Sequence, residues 1–484
     1  MSNANQHTVC IIGGGMSGLF TGALLAKNGY KVTVLEKNHI IGGGLQSFRR
    51  GDVVFNTGMQ ACAGYIPGMI SYQVCKYLGV ANEINLMATD KDKQEIIWLS
   101  KNKFICLPKG RDAYQAYLTQ MFPDEASGIS ELLDCVFRTG HTFDYLFLQP
   151  IQRYEENVPY AYMTAEELIR KYISNDKLVG IFEYVGWTTG HCLKSMPALE
   201  FCMMLTLYIL GSHRFVNGAK QLADALCAVV EQNEGEVLND TEICEVKGEN
   251  GIINFVLATD GRKWGDDNFV WACSPKLLLD ACQDQIFRKS MTQRIQEYIN
   301  PFSVFVVFCQ LKKEKFKFIN SSVYLPQTLK NQHLPQSIVF VTTPRSESDQ
   351  WAESMEIYIP ANYDDLAQWE DTHMGKRGVE YETYKEHVAQ DALDIIASYY
   401  PELSDAVMSI NVASGLTIRD YYGNPNGSCY GQQGLYIPIK TKLKNLYMTG
   451  QAVQNQGLAG IATTSVLTAE TILGRSLIEE IAKA

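Results

Sequence analysis

Three glycines near the start of the chain have the spacing of a phosphate-binding turn. Gly13, Gly15 and Gly18 follow the apolar run Val9 to Ile12, and a helical pattern begins directly after that run. In such a turn the first glycine permits a tight bend, the second lets backbone approach a pyrophosphate, and the third lets helix pack on strand. Backbone N–H groups and the helix dipole then hold two phosphates.

A carboxylate, Glu36, follows the glycine motif at the sequence spacing that is typical of nucleotide-binding domains. Asn28 and Gly29 can end the helix, and Val32 to Leu35 is a second strand that delivers Glu36 at its carboxyl end. Glu36 would accept hydrogen bonds from an adenosine ribose, and its charge would repel a ribose 2′-phosphate. The sequence therefore predicts FAD or NAD, rather than NADP, as the ligand.

The same uncharged stretch, Val9 to Ala26, has a second interpretation as a signal peptide or membrane span. However, Met1 to Thr8 contains no Lys or Arg, the run holds five glycines, and Lys27 ends it before it reaches about 20 residues. The nucleotide interpretation is favoured.

Composition limits the class of protein. A chain of 484 residues is longer than the roughly 250–300 residues at which single cores stop growing, so two domains are expected. Its net charge of −11 argues against a nucleic-acid partner. The 13 cysteines form no C-x-x-C pair and the eight histidines no H-x-x-x-H pair, which predicts reduced thiols in the cytoplasm and no metal.

A second glycine cluster follows the carboxylate. Gly42, Gly43 and Gly44 stand in I-I-G-G-G-L-Q-S-F, before the hairpin-like segment R-R-G-D-V-V-F-N-T-G-M-Q. These glycines would let the chain cross close over a second part of the same nucleotide. A plain glycine loop between two strands is the alternative, and the position just after Glu36 favours the nucleotide.

Residues 64 to about 212 predict a helical substrate domain inserted into the nucleotide-binding domain. The capping box Thr164 to Glu167 opens a helix over Ala165 to Ile173, and Asn175 or Asp176 begins another that runs through Trp187. A further apolar helix, residues 199 to 210, is too short to span a bilayer and is expected in the core.

The chain then returns to the nucleotide-binding domain. A helix that ends at Gly235 is followed by a predicted strand from Glu236 to Val246, and Phe269 to Ala272 forms another strand, closed by Pro275.

The rest of the chain supplies a second sheet and a last helix. Ser303 to Leu311, Ser337 to Thr342 and Met355 to Ile359 suggest an antiparallel sheet beside the substrate, followed by a helix over Glu380 to Tyr400. Near the end, residues 446 to 449 form a short strand, with a glycine loop and a helix from about residue 460 after it.

Three segments together resemble FAD-dependent oxidoreductases of the amine oxidase and phytoene desaturase superfamily. They are Gly13 to Glu36, Gly42 to Gln60 and Tyr447 to Ala469; Tyr172 to Leu178 and Arg214 to Leu222 resemble further family segments in the same order. The retinol saturase and carotenoid isomerase branch is most similar, through T-I-R-D-Y-Y-G-N-P-N-G-S-C-Y-G and T-G-Q-A-V-Q-N-Q-G-L-A-G-I. This sequence departs from the residues usual in that family at Asn56, Ser414, Gly415 and Gln451.

The resemblance implies an α/β fold with a Rossmann-type FAD-binding domain, whose parallel sheet is like that of glutathione reductase. An inserted α+β substrate domain would contain helices and a mainly antiparallel sheet. We expect residues 1–75, 213–285 and 410–484 in the FAD-binding domain, and 76–212 and 286–409 in the substrate-binding domain.

The resemblance also implies tightly bound FAD and its contacts. A helix start near Gly457 to Ile461 would face the pyrimidine edge of the flavin, and Met59 and Gln60 would lie beside the ring. Ile243 occupies the position that meets the adenine, with a plain sheet residue as the alternative. The expected cofactor-binding residues are Gly13, Gly15, Met16, Ser17, Gly18, Glu36, Lys37, Gly43, Gly44, Leu45, Gln46, Met59, Gln60, Ile243, Gly450, Gln451, Gly460 and Ile461.

The activity that the resemblance implies is hydride transfer at flavin N5 to or from carbon–carbon double bonds of an apolar isoprenoid, retinoid or carotenoid-like substrate. Saturation, desaturation and isomerisation all remain open. A flavin amine oxidase and a non-catalytic flavin-binding protein are the alternatives. No acid or base is nominated, since His191, Glu200 and Tyr430 are interpreted as structural. A nicotinamide or other electron partner would visit transiently, and membrane contact, if any, would be peripheral.

Overall fold

Five short strands form a parallel sheet, which we call the nucleotide sheet. The computed structural model describes residues 6–143, 145–148, 160, 162–282, 285–298, 302–327, 334–346, 349–430, 437–453 and 456–484. Strand Thr8–Ile12 is central and almost wholly buried, as expected for a parallel strand covered on both faces. The order across the sheet is Glu236–Leu238, Lys31–Leu35, Thr8–Ile12, Asn268–Trp271 and Leu446–Met448.

Three helices cover this sheet. Helix Met16–Lys27 begins directly after the glycine turn and ends at Asn28, while Gly29 takes a φ of +90°. Lys220–Gln232 and Gly457–Leu473 both pack against the first helix. The α/β architecture with a Rossmann-type sheet is therefore as the sequence predicts.

A seven-stranded sheet, the substrate sheet, forms the second layer. Its strands pair antiparallel except where Ser322–Pro326 runs parallel to Glu95–Ser100. Strand Glu95–Ser100 lies within residues 64 to about 212, which the sequence predicts as a helical substrate domain, so that segment contains strands as well as helices. The order is Val407–Ala413, Ser303–Leu311, Ala352–Ala361, Ser337–Pro344, Ser322–Pro326, Glu95–Ser100 and Lys103–Leu107.

Two other predicted elements are broken in the structure. The strand expected from Glu236 to Val246 is interrupted by Asp240, whose φ is +47°, so Glu236–Leu238 joins the nucleotide sheet and Ile243–Glu249 pairs with Ile252–Ala258 elsewhere. An Asn-Asp turn is a recognised chain reversal and overrides the strand pattern. The helix expected through Trp187 is likewise divided at Phe182.

The capping box at Thr164 is confirmed. Its Oγ1 accepts a hydrogen bond from Glu167 N at 3.2 Å, and the Glu167 carboxylate accepts one from Thr164 N at 2.8 Å. Among the described residues, the other helices of more than three residues are Ile70–Leu78, Arg111–Met121, Ala126–Gly140, Ala165–Arg170, Asp176–Ile181, Glu183–Trp187, Ala198–Leu210, Pro275–Ala281, Lys289–Glu297, Tyr363–Trp369 (a 3-10 helix), Val379–Ala397, Leu403–Ala406, Gly415–Tyr422 and Ile478–Lys483.

Small sheets connect the two layers. A hairpin is formed by Ser47–Arg50 and Val53–Asn56, as its sequence predicts. A three-stranded antiparallel sheet has the order Ala61–Ala63, Ser212–Phe215 and Leu86–Ala88, and Lys263–Trp264 pairs with Ile252–Ala258. Among the described residues, no helix has both the length and the apolar character needed to cross a bilayer.

Candidate functional site

The first glycine turn is shaped to admit a ligand. A Cβ on Gly18 would lie 1.9 Å from the carbonyl oxygen of Gly13, so helix and strand touch there. A Cβ on Gly15, in contrast, would meet nothing nearer than the Gly43 Cα at 3.9 Å. The space beside Gly15 is therefore open at the start of helix Met16–Lys27, where unpaired N–H groups favour phosphate.

The second glycine cluster packs directly on the first. Gly42 N donates to the Gly14 carbonyl oxygen at 2.9 Å, and a Cβ on Gly43 would lie 3.0 Å from the Gly15 Cα. Gly43 also has a φ of +55°, which favours glycine. The close approach of the two turns therefore requires glycine at position 43.

Glu36 is held at the end of its strand by backbone donors. Its side chain is 6% exposed, and Oε2 accepts a hydrogen bond from Gly14 N at 2.9 Å. Oε1 accepts from Asn38 N and Asn38 Nδ2, both at 2.8 Å. Burial raises the pKa of Glu36, whereas these donors lower it. The carboxylate is thereby fixed facing the main cavity.

This main cavity has a volume of about 1100 Å³ and lies between the nucleotide and substrate sheets. Pockets for one ligand usually measure about 300–1,000 Å³, so there is room for a cofactor and a substrate together. The predicted cofactor residues that line it are Gly13, Gly15, Met16, Ser17, Glu36, Lys37, Gly43, Gly44, Met59, Gln60, Ile243, Gly450, Gln451 and Ile461.

Four predicted cofactor residues do not line the cavity. Gly18 belongs to the helix–strand contact, and Leu45 is fully buried. Gln46 Nε2 donates to the Ile40 carbonyl oxygen at 2.6 Å, and the Gly460 carbonyl oxygen accepts from Thr464 Oγ1 at 2.9 Å. These four support the wall. Gly431, Gln454 and Asn455 of the family-like motifs lie outside the described residues.

Sequence reasoning missed two parts of the wall. Ala272 and Cys273 line the cavity at the carboxyl end of strand Asn268–Trp271, a position where open α/β sheets bind ligands. Tyr422 lines it as well, and its hydroxyl donates to the Thr57 carbonyl oxygen at 3.3 Å. The Cys-Ser-Pro sequence after a predicted parallel strand was a usable signal for the first part. For the second, Tyr422 stands in the family-like motif T-I-R-D-Y-Y-G-N-P-N-G-S-C-Y-G.

Helix Gly457–Leu473 starts at the cavity, where Gly457 and Ile461 line the wall. Gln456 precedes it, and its Nε2 donates to Glu200 Oε1 at 2.9 Å. His191 Nε2 lies 3.9 Å from Glu200 Oε2, but burial lowers the pKa of His191 to about 4. The imidazole is therefore neutral near pH 7, and the contact is not an ion pair.

We expect Glu200→Gln to stabilise the protein at pH 8. Burial raises the pKa of Glu200 from 4.5 to about 7. The folded state therefore favours the protonated carboxyl, and this contribution to stability is lost as pH rises through about 7. Glutamine keeps an acceptor for Gln456, so the free energy of unfolding should rise by roughly 2–3 kcal/mol at pH 8.

Urea unfolding at pH 8 and pH 5.5 measures this effect. At pH 5.5 the folded wild-type carboxyl is protonated but the unfolded one is largely ionised, so the gain from Glu200→Gln should shrink to roughly 1–1.5 kcal/mol. An equal gain at both pH values would show that the effect is packing rather than charge.

The far end of the cavity is apolar. Tyr324, Val339 and Tyr358 form a row across three neighbouring strands of the substrate sheet, and Tyr430 donates from its hydroxyl to the Trp187 carbonyl oxygen at 2.9 Å. Charged side chains are absent from this group of described residues. The group comprises Trp187, Thr188, Tyr208, Phe302, Val304, Ser322, Tyr324, Val339, Val341, Tyr358, Cys429 and Tyr430.

Comparison with known proteins agrees with this geometry. Residues 11–78 match the family model described as an NAD(P)-binding Rossmann-like domain, so the chain contains a dinucleotide-binding domain. The all-trans-retinol 13,14-reductase of Rattus norvegicus is 23% identical, over 97% of this chain and 86% of its own length. The chloroplastic prolycopene isomerase 1 of an Oncidium hybrid cultivar is 22% identical, over 98% and 84%.

Solved structures share the fold. An oxidoreductase from Methanosarcina mazei superposes with a TM-score of 0.67 and 14% identity, covering 97% of this chain and all of its own. A putrescine oxidase triple mutant superposes with a TM-score of 0.65 and 15% identity, covering 97% and 99%.

Proposed function

We propose, from the relationship of nearly the whole chain to retinol 13,14-reductases and prolycopene isomerases, that it is an FAD-dependent oxidoreductase acting on carbon–carbon double bonds of an apolar isoprenoid, retinoid or carotenoid-like substrate. The observation that carries the proposal is the single cavity, which runs from the glycine turns to the apolar end of the substrate sheet. A cofactor and a polyene can therefore lie in contact within this cavity.

The residues of the cavity fit FAD. Backbone N–H groups beside Gly15 would bind the pyrophosphate, and Glu36 would orient the ribose. The start of helix Gly457–Leu473 would stabilise negative charge on a flavin ring, and Met59 and Gln60 would lie beside it. When bound, FAD supplies hydride chemistry at N5. Contact regions on two sides of one cavity suit a dinucleotide, with one region for the adenosine half and one for the ring-bearing half.

An amine substrate is disfavoured by the same wall. A protonated amine taken out of water is stabilised most strongly by a carboxylate that balances its charge. The apolar end offers aromatic faces, but among the described residues no carboxylate lines it. The wall therefore favours a neutral, apolar chain, although the fold is shared with putrescine oxidase.

An apolar substrate must be collected from lipid, and we include peripheral membrane contact in the proposal. Leu277, Met374 and Tyr421 are large exposed hydrophobic residues that also line the cavity. Exposed apolar side chains of this kind can contact a lipid surface. A nicotinamide or other electron partner would exchange electrons at the flavin transiently.

Anaerobic spectroscopy tests the proposed function. The purified protein should be yellow, and retinoid or carotenoid candidates should bleach or restore the flavin absorption within single turnovers, depending on direction. A panel of amines serves as the comparison. Hydrogen peroxide production with amines, and no change with any polyene, would contradict the proposal.

A further inference from the structure

A buried charged cluster lies beside the apolar end of the cavity. Glu95, Arg214 and Glu356 are 1%, 6% and 1% exposed and come from three different strands. Arg214 Nη1 donates to the Thr342 carbonyl oxygen at 3.2 Å, whereas its Nε and Nη2 have no hydrogen-bond partner among the described residues. Glu95 Oε2 is also without such a partner there. Burying these groups is expensive, and packing alone does not require them.

The cluster keeps a proton near neutral pH. Burial raises the pKa of Glu95 to about 8 and that of Glu356 to about 7, although Arg214 lowers both. One guanidinium cannot balance two carboxylates, so a proton remains on the carboxyls at pH 7.

Tyr358 links this proton to the cavity. Its side chain lines the apolar end, and its hydroxyl donates to Glu356 Oε2 at 3.0 Å. Asn56 N donates to Glu356 Oε1 at 3.1 Å, which occupies that oxygen as an acceptor. A proton on the Glu356 carboxyl therefore sits on Oε2. In that state the hydrogen bond reverses: Oε2–H donates to the Tyr358 hydroxyl oxygen, and the Tyr358 proton no longer donates to Glu356. Gln60, which also lines the cavity, interacts with both side chains.

We propose that Tyr358 is the catalytic proton donor to the substrate carbon and that Glu356 is the positioning residue that restores its proton. This inference rests on the proposed function. In the reducing direction, bound FAD in its reduced form would supply a hydride to one carbon of the C=C bond, and the π electron pair would take the Tyr358 proton at the other carbon. Two C–H bonds would form, while the C=C π bond, the hydride donor's bond to hydrogen and the Tyr358 O–H bond would break. Tyr358 then recovers a proton from Glu356 Oε2, and water reprotonates Glu356.

Several neighbours set the titration of Glu356. Its own strand contributes Tyr358, and strand Ser212–Phe215 contributes Arg214, the cation that lowers its pKa. Cys309, on strand Ser303–Leu311, is also close enough to interact with it. Glu95 and Tyr324 face Arg214 from the opposite side. The cluster titrates as a unit, so pH experiments report on all these groups together.

Tyr358→Phe is the direct test. The variant should bind FAD as the wild type does, but reoxidation of its reduced flavin by a polyene should slow roughly 100-fold or more. Tyr117→Phe is the matched control, because Tyr117 accepts a hydrogen bond from Cys106 N at 2.9 Å on the outer edge of the substrate sheet. That control should stay within about threefold of the wild type.

Glu356→Gln tests whether Glu356 acts through its titrating proton or only through its packing. The turnover rate of the wild type should decrease as pH rises above about 7, whereas that of Glu356→Gln should not depend on pH in this range. Infrared difference spectra of the cofactor-free protein between pH 6 and pH 8 should show a carboxylic acid titrating in the wild type and a smaller signal in the variant. This readout requires no activity.

The outcomes are distinguishable. If wild-type protein converts a polyene while Tyr358→Phe remains within threefold of it, the proton-donor role is overturned and the proposed function stands. An infrared titration that is identical in Glu356→Gln also overturns the role. If no polyene is converted by the wild type, the proposed function fails and this role fails with it.

Discussion

Gly15→Val should yield a folded protein that has lost its yellow colour. The φ and ψ of Gly15 are −77° and 178°, an extended conformation that valine adopts readily. A Cβ there meets only the Gly43 Cα at 3.9 Å, so the added methyl groups enter the open space assigned to the pyrophosphate. We expect FAD affinity to fall roughly 100-fold, which corresponds to about 2.7 kcal/mol.

Flavin fluorescence titration measures the affinity, and circular dichroism with urea unfolding of the cofactor-free proteins measures the fold. The stability of the variant should lie within about 1 kcal/mol of the cofactor-free wild type. Gly180→Ala is the control, because a Cβ there meets nothing within 4 Å and Gly180 does not line the cavity. Full flavin content in Gly15→Val would refute the assignment of this turn.

Arg214→Met should destabilise the protein by about 3 kcal/mol at pH 8. Arg214 is the cation that lowers the pKa of both Glu95 and Glu356, and both carboxyls already titrate above their usual 4.5. Their stabilising protonated forms are lost as pH rises through about 7 and 8. Without Arg214 these pKa values rise further, so the loss at pH 8 deepens.

A second substitution tests the charge argument. Adding Glu95→Gln to Arg214→Met removes one of the two carboxyls and should recover most of the stability at pH 8. Urea unfolding at pH 5.5, where the carboxyls are protonated, should show a smaller deficit. The exposed Arg49→Met is the control and should change stability by less than about 0.5 kcal/mol. A deficit that is independent of pH would mean that Arg214 acts through packing.

Local patterns predicted the nucleotide-binding half of the molecule well. Strand, glycine turn, helix and carboxylate all lie within one stretch of about 30 residues, and each element has a local physical signal. The structure accordingly shows strand Thr8–Ile12, helix Met16–Lys27 and the buried Glu36 where the sequence placed them. The relatives confirm the resemblance to the retinol saturase and carotenoid isomerase branch.

Long-range contacts explain what the sequence did not reveal. Glu95, Arg214 and Glu356 are separated by more than one hundred residues each, and no periodicity indicates that their strands converge. Strand Glu95–Ser100 has one neighbour in the other inserted segment, Ser322–Pro326, but it also forms a local hairpin with Lys103–Leu107. That short-range signal was present in the sequence and was not used. Propensity is a weak prior where tertiary pairing decides the structure.

The strand order of the nucleotide sheet has a consequence for synthesis on the ribosome. Strand Asn268–Trp271 has Leu446–Met448 as its neighbour on one side, and that neighbour is translated long afterwards. At about 5–20 residues per second, the nascent polypeptide waits roughly 10–35 seconds with this edge uncovered. Helix Gly457–Leu473 emerges later still. We therefore expect coenzyme uptake to be a late event in maturation, and chaperones to protect the exposed edge until then.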